Sequence, residues 1–184
     1  MKKIILTSNS FANKNIGEFF IKMINKEPSQ IKLVFVPTAA NNIESIEFLP
    51  LQAQALLDLG ISSDNIFVYD LHYRLEYKEL IKYDAIYFCG GDPSYLLKRI
   101  NETVFNIPLN EYINNGGIYV GVSAGSMVVA NNLPNNLGYL SSNLDVHGNE
   151  GINAGKFDPK ENPDILLPDN RAIIIRDNEY EVIE

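Results

Sequence analysis

Short, uninterrupted apolar runs, separated by segments with helical spacing, constrain this chain more than any other feature. Residues 4–7, 31–36, 66–69, 85–89 and 118–122 are such runs. Runs of this length, closed by Gly, Pro or polar residues, read as strands apolar on both sides. A strand of that kind must be covered on both faces, as in a parallel sheet. Between the runs, apolar spacing predicts helices over residues 17–24, 45–59, 73–83, 93–101, 106–114 and 124–130. Gly60 is a plausible helix stop, and Pro93 suits a first helical position. Strands alternating with helices, joined by right-handed crossovers, give an α/β three-layer sandwich with a mainly parallel sheet.

The last third reads differently. Residues 131–136 are polar and turn-rich, 137–146 have room for a strand, and 148–163 read as a long loop rich in Gly, Asn, Pro and charge. Residues 172–176 and 179–183 predict a C-terminal β-hairpin across Asp177-Asn178. No repeat or linker interrupts the pattern, so residues 1–184 are expected to form one α/β domain. Hydrophobic residues at 46% and charged residues at 21% are globular proportions.

Composition also removes function classes. A formal charge of −8 argues against a nucleic-acid partner, whose phosphates need clustered Lys and Arg. A single cysteine, Cys89, and two histidines, His72 and His147, leave no disulfide framework and no metal cluster. No metal or other cofactor is expected. No apolar stretch reaches the ~20 residues of a membrane span. The Ile4-Ile5-Leu6 run after Met1-Lys2-Lys3 stops at Thr7-Ser8-Asn9-Ser10, too soon for a signal peptide. A cytoplasmic location is the expectation.

Chemistry concentrates in Gly121-Val122-Ser123-Ala124-Gly125, a G-x-S-x-G between a predicted strand and a predicted helix. A chain turning sharply from strand into helix carries the serine at its apex, and small neighbours keep the backbone from colliding. Ser123 is the candidate nucleophile, and the Ala124 N–H a candidate oxyanion donor. Gly90-Gly91-Asp92-Pro93 ends the adjacent strand run, where open α/β sheets bind ligands. Gly90 and Gly91 allow close approach of a substrate, and the Gly91 N–H is a second oxyanion donor. Asp92 is either a substrate contact or simply the N-cap of the next helix.

An activated serine needs a base. His147, in Asp145-Val146-His147-Gly148-Asn149-Glu150, is preferred over His72. Glu150, Asp145 and Asp164 are the candidates for orienting its imidazole. Asp145 lies two residues before His147, which on a strand places both on one face. Cys89 lies in an apolar run and is expected to be a buried hydrophobe. Tyr87 and Tyr95 stand near the glycines, where packing is the plainer role. Lys156 and Arg171 are equally credible as substrate-carboxylate ligands and as surface charge.

The run Tyr87-Phe88-Cys89-Gly90-Gly91-Asp92-Pro93-Ser94-Tyr95-Leu96-Leu97, followed by Gly121-Val122-Ser123-Ala124-Gly125-Ser126, resembles the dipeptidase E and cyanophycinase family of serine peptidases. The resemblance runs from the first strand to about Ala130. It implies a class I glutamine amidotransferase-like fold with serine in place of cysteine at the elbow. It also implies Ser123 as nucleophile, His147 as base and the Gly91 and Ala124 N–H groups as oxyanion hole. The resemblance does not identify the acidic partner; Glu150 is taken as the third member beside Ser123 and His147, with Asp145 and Asp164 open as alternatives. The implied activity is hydrolysis of small peptides through an acyl-enzyme, with Asp-X dipeptides as the family's substrates. The alternative is a catalytically impaired relative that binds a small molecule or peptide, motivated by the short segment between Ser123 and His147. A homodimer is compatible with either reading. The α/β-hydrolase fold shares G-x-S-x-G but places further strand–helix units after the elbow, where this sequence offers loop and hairpin.

Overall fold

Ile4, Ile5 and Leu6 are wholly buried, so the first strand needs neighbours on both edges and cover on both faces. The computed structural model, which describes residues 1–184, provides them. The strands in chain order are β1 (Lys3–Thr7), β2 (Leu33–Val36), β3 (Ile66–Val68), β4 (Ala85–Phe88) and β5 (Ile118–Val122). They are followed by β6 (Asn143–Gly148), β7 (Gly155–Lys156), β8 (Asp164–Pro168), β9 (Ala172–Arg176) and β10 (Glu179–Ile183). The helices are α1 (Lys14–Ile24), α2 (Ile43–Glu47), α3 (Leu49–Asp58), α4 (Tyr77–Leu80), α5 (Pro93–Glu102), α6 (Asn106–Asn114) and α7 (Ala124–Met127).

Eight strands form one sheet in the order β3-β2-β4-β5-β1-β9-β10-β7. The pairs from β3 through β1 are parallel, and β9, β10 and β7 add antiparallel pairs at one side. The expected three-layer, mainly parallel architecture and the β9–β10 hairpin are therefore present. Strand alternation assigns side chains to the two faces. Ile4, Leu6, Ile86, Phe88, Tyr119, Ile173 and Ile175 pack against α5, α6 and α7. Ile5, Ala85, Tyr87, Val120 and Ile174 pack against Ile16 and Phe20 of α1 and Leu56 of α3. No helix is long and apolar enough to cross a membrane.

The differences from expectation have local causes. The helix predicted over 45–59 is two helices. Pro50 has no N–H to donate to Ile46 and its ring crowds that carbonyl, so α2 ends and α3 restarts at Leu49. The helix predicted over 73–83 shrinks to α4, because Glu76 and Glu79 form its capping box and Arg99 holds the Leu71 carbonyl outside it. The helix after Ser123 stops at Met127, since the Val128 and Val129 carbonyls accept from Leu137, Tyr139 and Leu140 instead. Strand β7 lies within the expected long loop of 148–163 and pairs with β10. Strand β8 was not anticipated; it pairs in parallel with β6 as a separate ribbon.

Candidate active site

At the carboxyl end of β5 the chain reverses into α7 with Ser123 at φ 47°, ψ −104°. A non-glycine residue there is strained and persists only where its surroundings fix it. The surroundings do so tightly. A Cβ on Gly121 would stand 2.5 Å from the Gly125 carbonyl oxygen, and one on Gly125 would stand 2.6 Å from that of Phe88. The steric reason for small residues at both positions is thus explicit. The Ser123 N–H donates to the Thr7 carbonyl at 2.9 Å. Buried Ser126 straps the elbow to β1: its Oγ accepts from the Thr7 N–H at 3.0 Å and faces the Thr7 and Gly121 carbonyls, each at 2.8 Å. The Tyr119 hydroxyl donates to the Gly125 carbonyl at 2.6 Å.

Beside the elbow, β4 runs into Gly90-Gly91. Gly91 adopts φ +141°, and a Cβ there would lie 2.1 Å from the Ala39 carbonyl oxygen, so only glycine fits. The Asp92 N–H donates to that same carbonyl at 2.8 Å, fixing the loop. The Gly91 N–H has no partner within the chain, and the Ala124 N–H, first in α7, has no intrahelical acceptor. Gly90 differs: its N–H donates to Gln52 Oε1 at 3.1 Å, which occupies that group. Asp92 caps α5, accepting from the Tyr95 N–H at 3.0 Å.

The structure brings His147 to Ser123 across 24 residues of sequence, with Nε2 and Oγ 3.1 Å apart. His147 sits at a β-bulge in β6 with φ 63°, where the register to β8 shifts between Val146 and Gly148. The bulge breaks strand alternation and re-aims the imidazole. That is why the same-face argument for Asp145 fails. The carboxylate on His147 Nδ1 is that of Asp169, at 2.8 Å. This corrects the expectation of Glu150, which lies exposed in the bend after β6 without a hydrogen bond to the ring. Asp164 accepts from Asn143 instead. His72 is exposed beside Asp70, 3.3 Å away, and does not reach the elbow.

Ser8 ties these parts together. Its Oγ donates to the Leu167 carbonyl at 2.6 Å and accepts from the His147 N–H at 3.3 Å. One hydroxyl thus links the segment after β1 to both strands of the ribbon. Ser123, His147 and Asp169 open into a cleft of about 1230 Å³, with Phe48, Leu51 and Gln52 along one wall. Sequence reasoning missed Ser8, Gln52, Ser126 and Asp169. Only Ser126, inside the elbow motif, carried a local signal. Asp169 directly follows β8, whose Ile165-Leu166-Leu167 carries no alternation to mark it as a strand.

The remaining candidates lie outside the chemistry. Cys89 is wholly buried, and burial pushes its thiol well above the ordinary range. Tyr87 is buried, stacked on Phe35 and hydrogen-bonded to Ser10. Arg171 binds Glu184 and the Ile152 carbonyl, and Lys156 stands 4.0 Å from Glu179.

The chain is similar to known peptidases in sequence and in fold. An uncharacterized peptidase of Pasteurella multocida is 29% identical over 134 residues, covering 72% of this chain and 62% of its own. An uncharacterized peptidase of Listeria innocua is 30% identical over 138 residues, with coverage of 72% and 62%. A peptidase E of Nostoc sp. is 29% identical over 134 residues, with coverage of 69% and 52%. The chain therefore matches about three-fifths or less of the length of these relatives. A solved structure assigned as a peptidase E protein from Listeria monocytogenes EGD-e superposes with a TM-score of 0.76 at 23% identity, covering 100% of this chain and 98% of that one. A peptidase from an acI-B1 Actinobacterium gives 0.65 at 22% identity, with coverage of 100% and 87%. Both are likenesses of fold. The model of peptidase family S51 matches residues 4–141, three-quarters of the sequence and both glycine-rich turns, and the chain belongs to that family.

Proposed function

We propose that this protein is a serine peptidase acting on small peptides, with Ser123 as nucleophile, His147 as general base and Asp169 orienting the imidazole. The observation that carries this reading is the continuous hydrogen-bonded line Asp169 Oδ1, His147 Nδ1, His147 Nε2, Ser123 Oγ, with spacings of 2.8 Å and 3.1 Å at its two ends. With Nδ1–H donating to Asp169, the Nε2 lone pair faces the serine hydroxyl. As the Ser123 Oγ–carbon bond forms, the hydroxyl proton passes to His147 Nε2. The carbonyl oxygen gains negative charge, and the free Gly91 and Ala124 N–H groups are its donors. His147 then returns the proton to the leaving amine as the carbon–nitrogen bond breaks. Water, deprotonated by the same imidazole, cleaves the acyl-enzyme.

The alternative of a binding module without catalysis is disfavoured by the same distances, since a disused histidine would have no reason to face Ser123 while held by a carboxylate. A fluorophosphonate probe tests the proposal. Wild type is expected to be labelled at Ser123, and Ser123→Ala not at all. Absence of labelling in folded wild type, where a control hydrolase is labelled, sinks the reading.

A further inference from the structure

We propose that Thr38 and Asp70 are positioning residues for the oxyanion hole: their hydrogen bond fixes the Ala39 carbonyl, and that carbonyl holds the loop that aims the Gly91 N–H. The inference rests on the peptidase reading above and adds to it two residues that act through the backbone. Its basis is the order of the parallel strands. From the sheet's edge inward they run β3, β2, β4, β5. Asp70 lies just after β3, the turn of residues 37–40 follows β2, Gly90-Gly91 follows β4 and Ser123 follows β5. Parallel pairing delivers all four segments side by side at the carboxyl end of the sheet.

The contacts follow that order. Thr38 is buried, and its hydroxyl donates to Asp70 Oδ1 at 2.7 Å. A carboxylate acceptor makes this stronger than a bond between neutral groups. Asp70 is itself clamped on both sides. The Tyr69 N–H donates to the Phe35 carbonyl at 2.9 Å, and Arg99 Nη2 donates to the Leu71 carbonyl at 2.7 Å. The Thr38 turn closes on itself through the Ala40 N–H, which donates to the Pro37 carbonyl at 2.8 Å. Thr38 and Ala39 thus move as one unit, and Asp70 sets where that unit sits.

Ala39 is the wall on which the glycine loop rests. Its carbonyl accepts the Asp92 N–H at 2.8 Å, and a Cβ on Gly91 would lie 2.1 Å from the same oxygen. Contact this close leaves no slack, so a shift of Ala39 moves the Gly91 peptide. On the other flank, Gln52 holds the Gly90 N–H. The Gly91 N–H between them is free, as an oxyanion donor must be. Catalytic groups displaced by about 1 Å can lose on the order of 10²-fold in rate. Releasing the Thr38 turn therefore slows the reaction while every group that meets the substrate is still present.

The test is the rate of fluorophosphonate labelling, measured against probe concentration. The proteins compared are wild type, Thr38→Val, Thr38→Ser, Asp70→Ala and the double variant of Thr38→Val with Asp70→Ala. In this reaction Ser123 Oγ bonds to phosphorus as fluoride leaves, and the Oγ proton passes to His147. The phosphoryl oxygen sits where the oxyanion would, so the rate senses the hole. Thr38→Val keeps the shape but loses the donor. Asp70→Ala removes the acceptor at a side chain already 46% exposed, where the fold tolerates the change. Each is expected to lower the maximal labelling rate about tenfold, with the half-saturating probe concentration unchanged. Thr38→Ser keeps the hydroxyl and should label as fast as wild type. The double variant should be no slower than either single one, because both break the same bond. Wild-type rates in Thr38→Val and Asp70→Ala overturn the inference and leave the nucleophile standing. So does slow labelling of Thr38→Ser, a change confined to the half-saturating concentration, or losses that add in the double variant. Failure of wild type to label at all overturns the peptidase reading and this inference with it. If Thr38→Val does not fold, Asp70→Ala decides alone.

Discussion

Ser123 occupies a conformation its own chemistry disfavours, and the residues around it hold it there. Gly125→Ala would push a methyl to 2.6 Å from the Phe88 carbonyl oxygen. Overpacking of this kind costs roughly 2–3 kcal/mol, to be read as a lower urea midpoint. Ser126→Ala leaves the buried Thr7 N–H without its acceptor and should cost about 1–3 kcal/mol on the same measurement. For the imidazole, Asp169→Asn keeps the shape but can favour the wrong tautomer. It should lower kcat by about two to four orders of magnitude with KM changed little, in a peptide-hydrolysis assay. An unchanged kcat would remove Asp169 from the proposed mechanism. Ser123 was legible because the motif that bends the chain is contiguous. Asp169 was not, because nothing in Pro168-Asp169-Asn170 differs from an ordinary strand-to-turn exit.

The β6–β8 ribbon delivers both residues, His147 from β6 and Asp169 from the turn directly after β8. Ser8 sets the ribbon's position relative to β1 by bonding to Leu167 and His147 together. Ser8→Ala should therefore reduce kcat roughly tenfold, equivalent to about 1.4 kcal/mol in the barrier, while Ser123 remains present and the fold intact. Circular dichroism and kinetics on the same preparation check this; a loss of secondary structure in step with activity would instead make Ser8 purely structural. The β5–α7 junction and the β9–β10 hairpin were legible because their signals are local. The ribbon was not. Strand β6 begins after a turn-rich stretch, β8 follows a Gly-, Asn- and Pro-rich segment, and the bulge at His147 depends on the partner strand's register.

Across the whole molecule, the two faces of the sheet bury several tyrosines whose hydroxyls ionise only with difficulty. Burial pushes Tyr69 up to about 12, and pushes Tyr87, Tyr112, Tyr119 and Tyr139 up as well. An unfolded tyrosine ionises near pH 10, so in the pH range above that the unfolded state binds fewer protons than the folded one. The stability these groups contribute is complete below pH 10 and is lost as pH rises through their raised folded-state values, about 12 for Tyr69 and higher for the others. The tyrosinate absorbance of these five rings should appear only with the loss of far-UV circular dichroism. Ionisation of all ten tyrosines in a protein still folded would contradict the burial of these rings. Cys89, buried in the same layer, should react with a thiol reagent only when the protein unfolds.

Sequence alone determined the alternating layers, the parallel sheet and the serine elbow, because each depends on neighbours within a few positions: apolar runs, helical spacing and glycines flanking a turn. Tertiary structure alone decided which carboxylate meets the imidazole, which hydroxyls brace the elbow and that Gln52 reaches the glycine loop. Those contacts join residues 22, 119 and 38 positions apart, and they follow from the register of β6 on β8 and the packing of α3 against the sheet. Distances of that kind are set by closing the core, which no local pattern encodes.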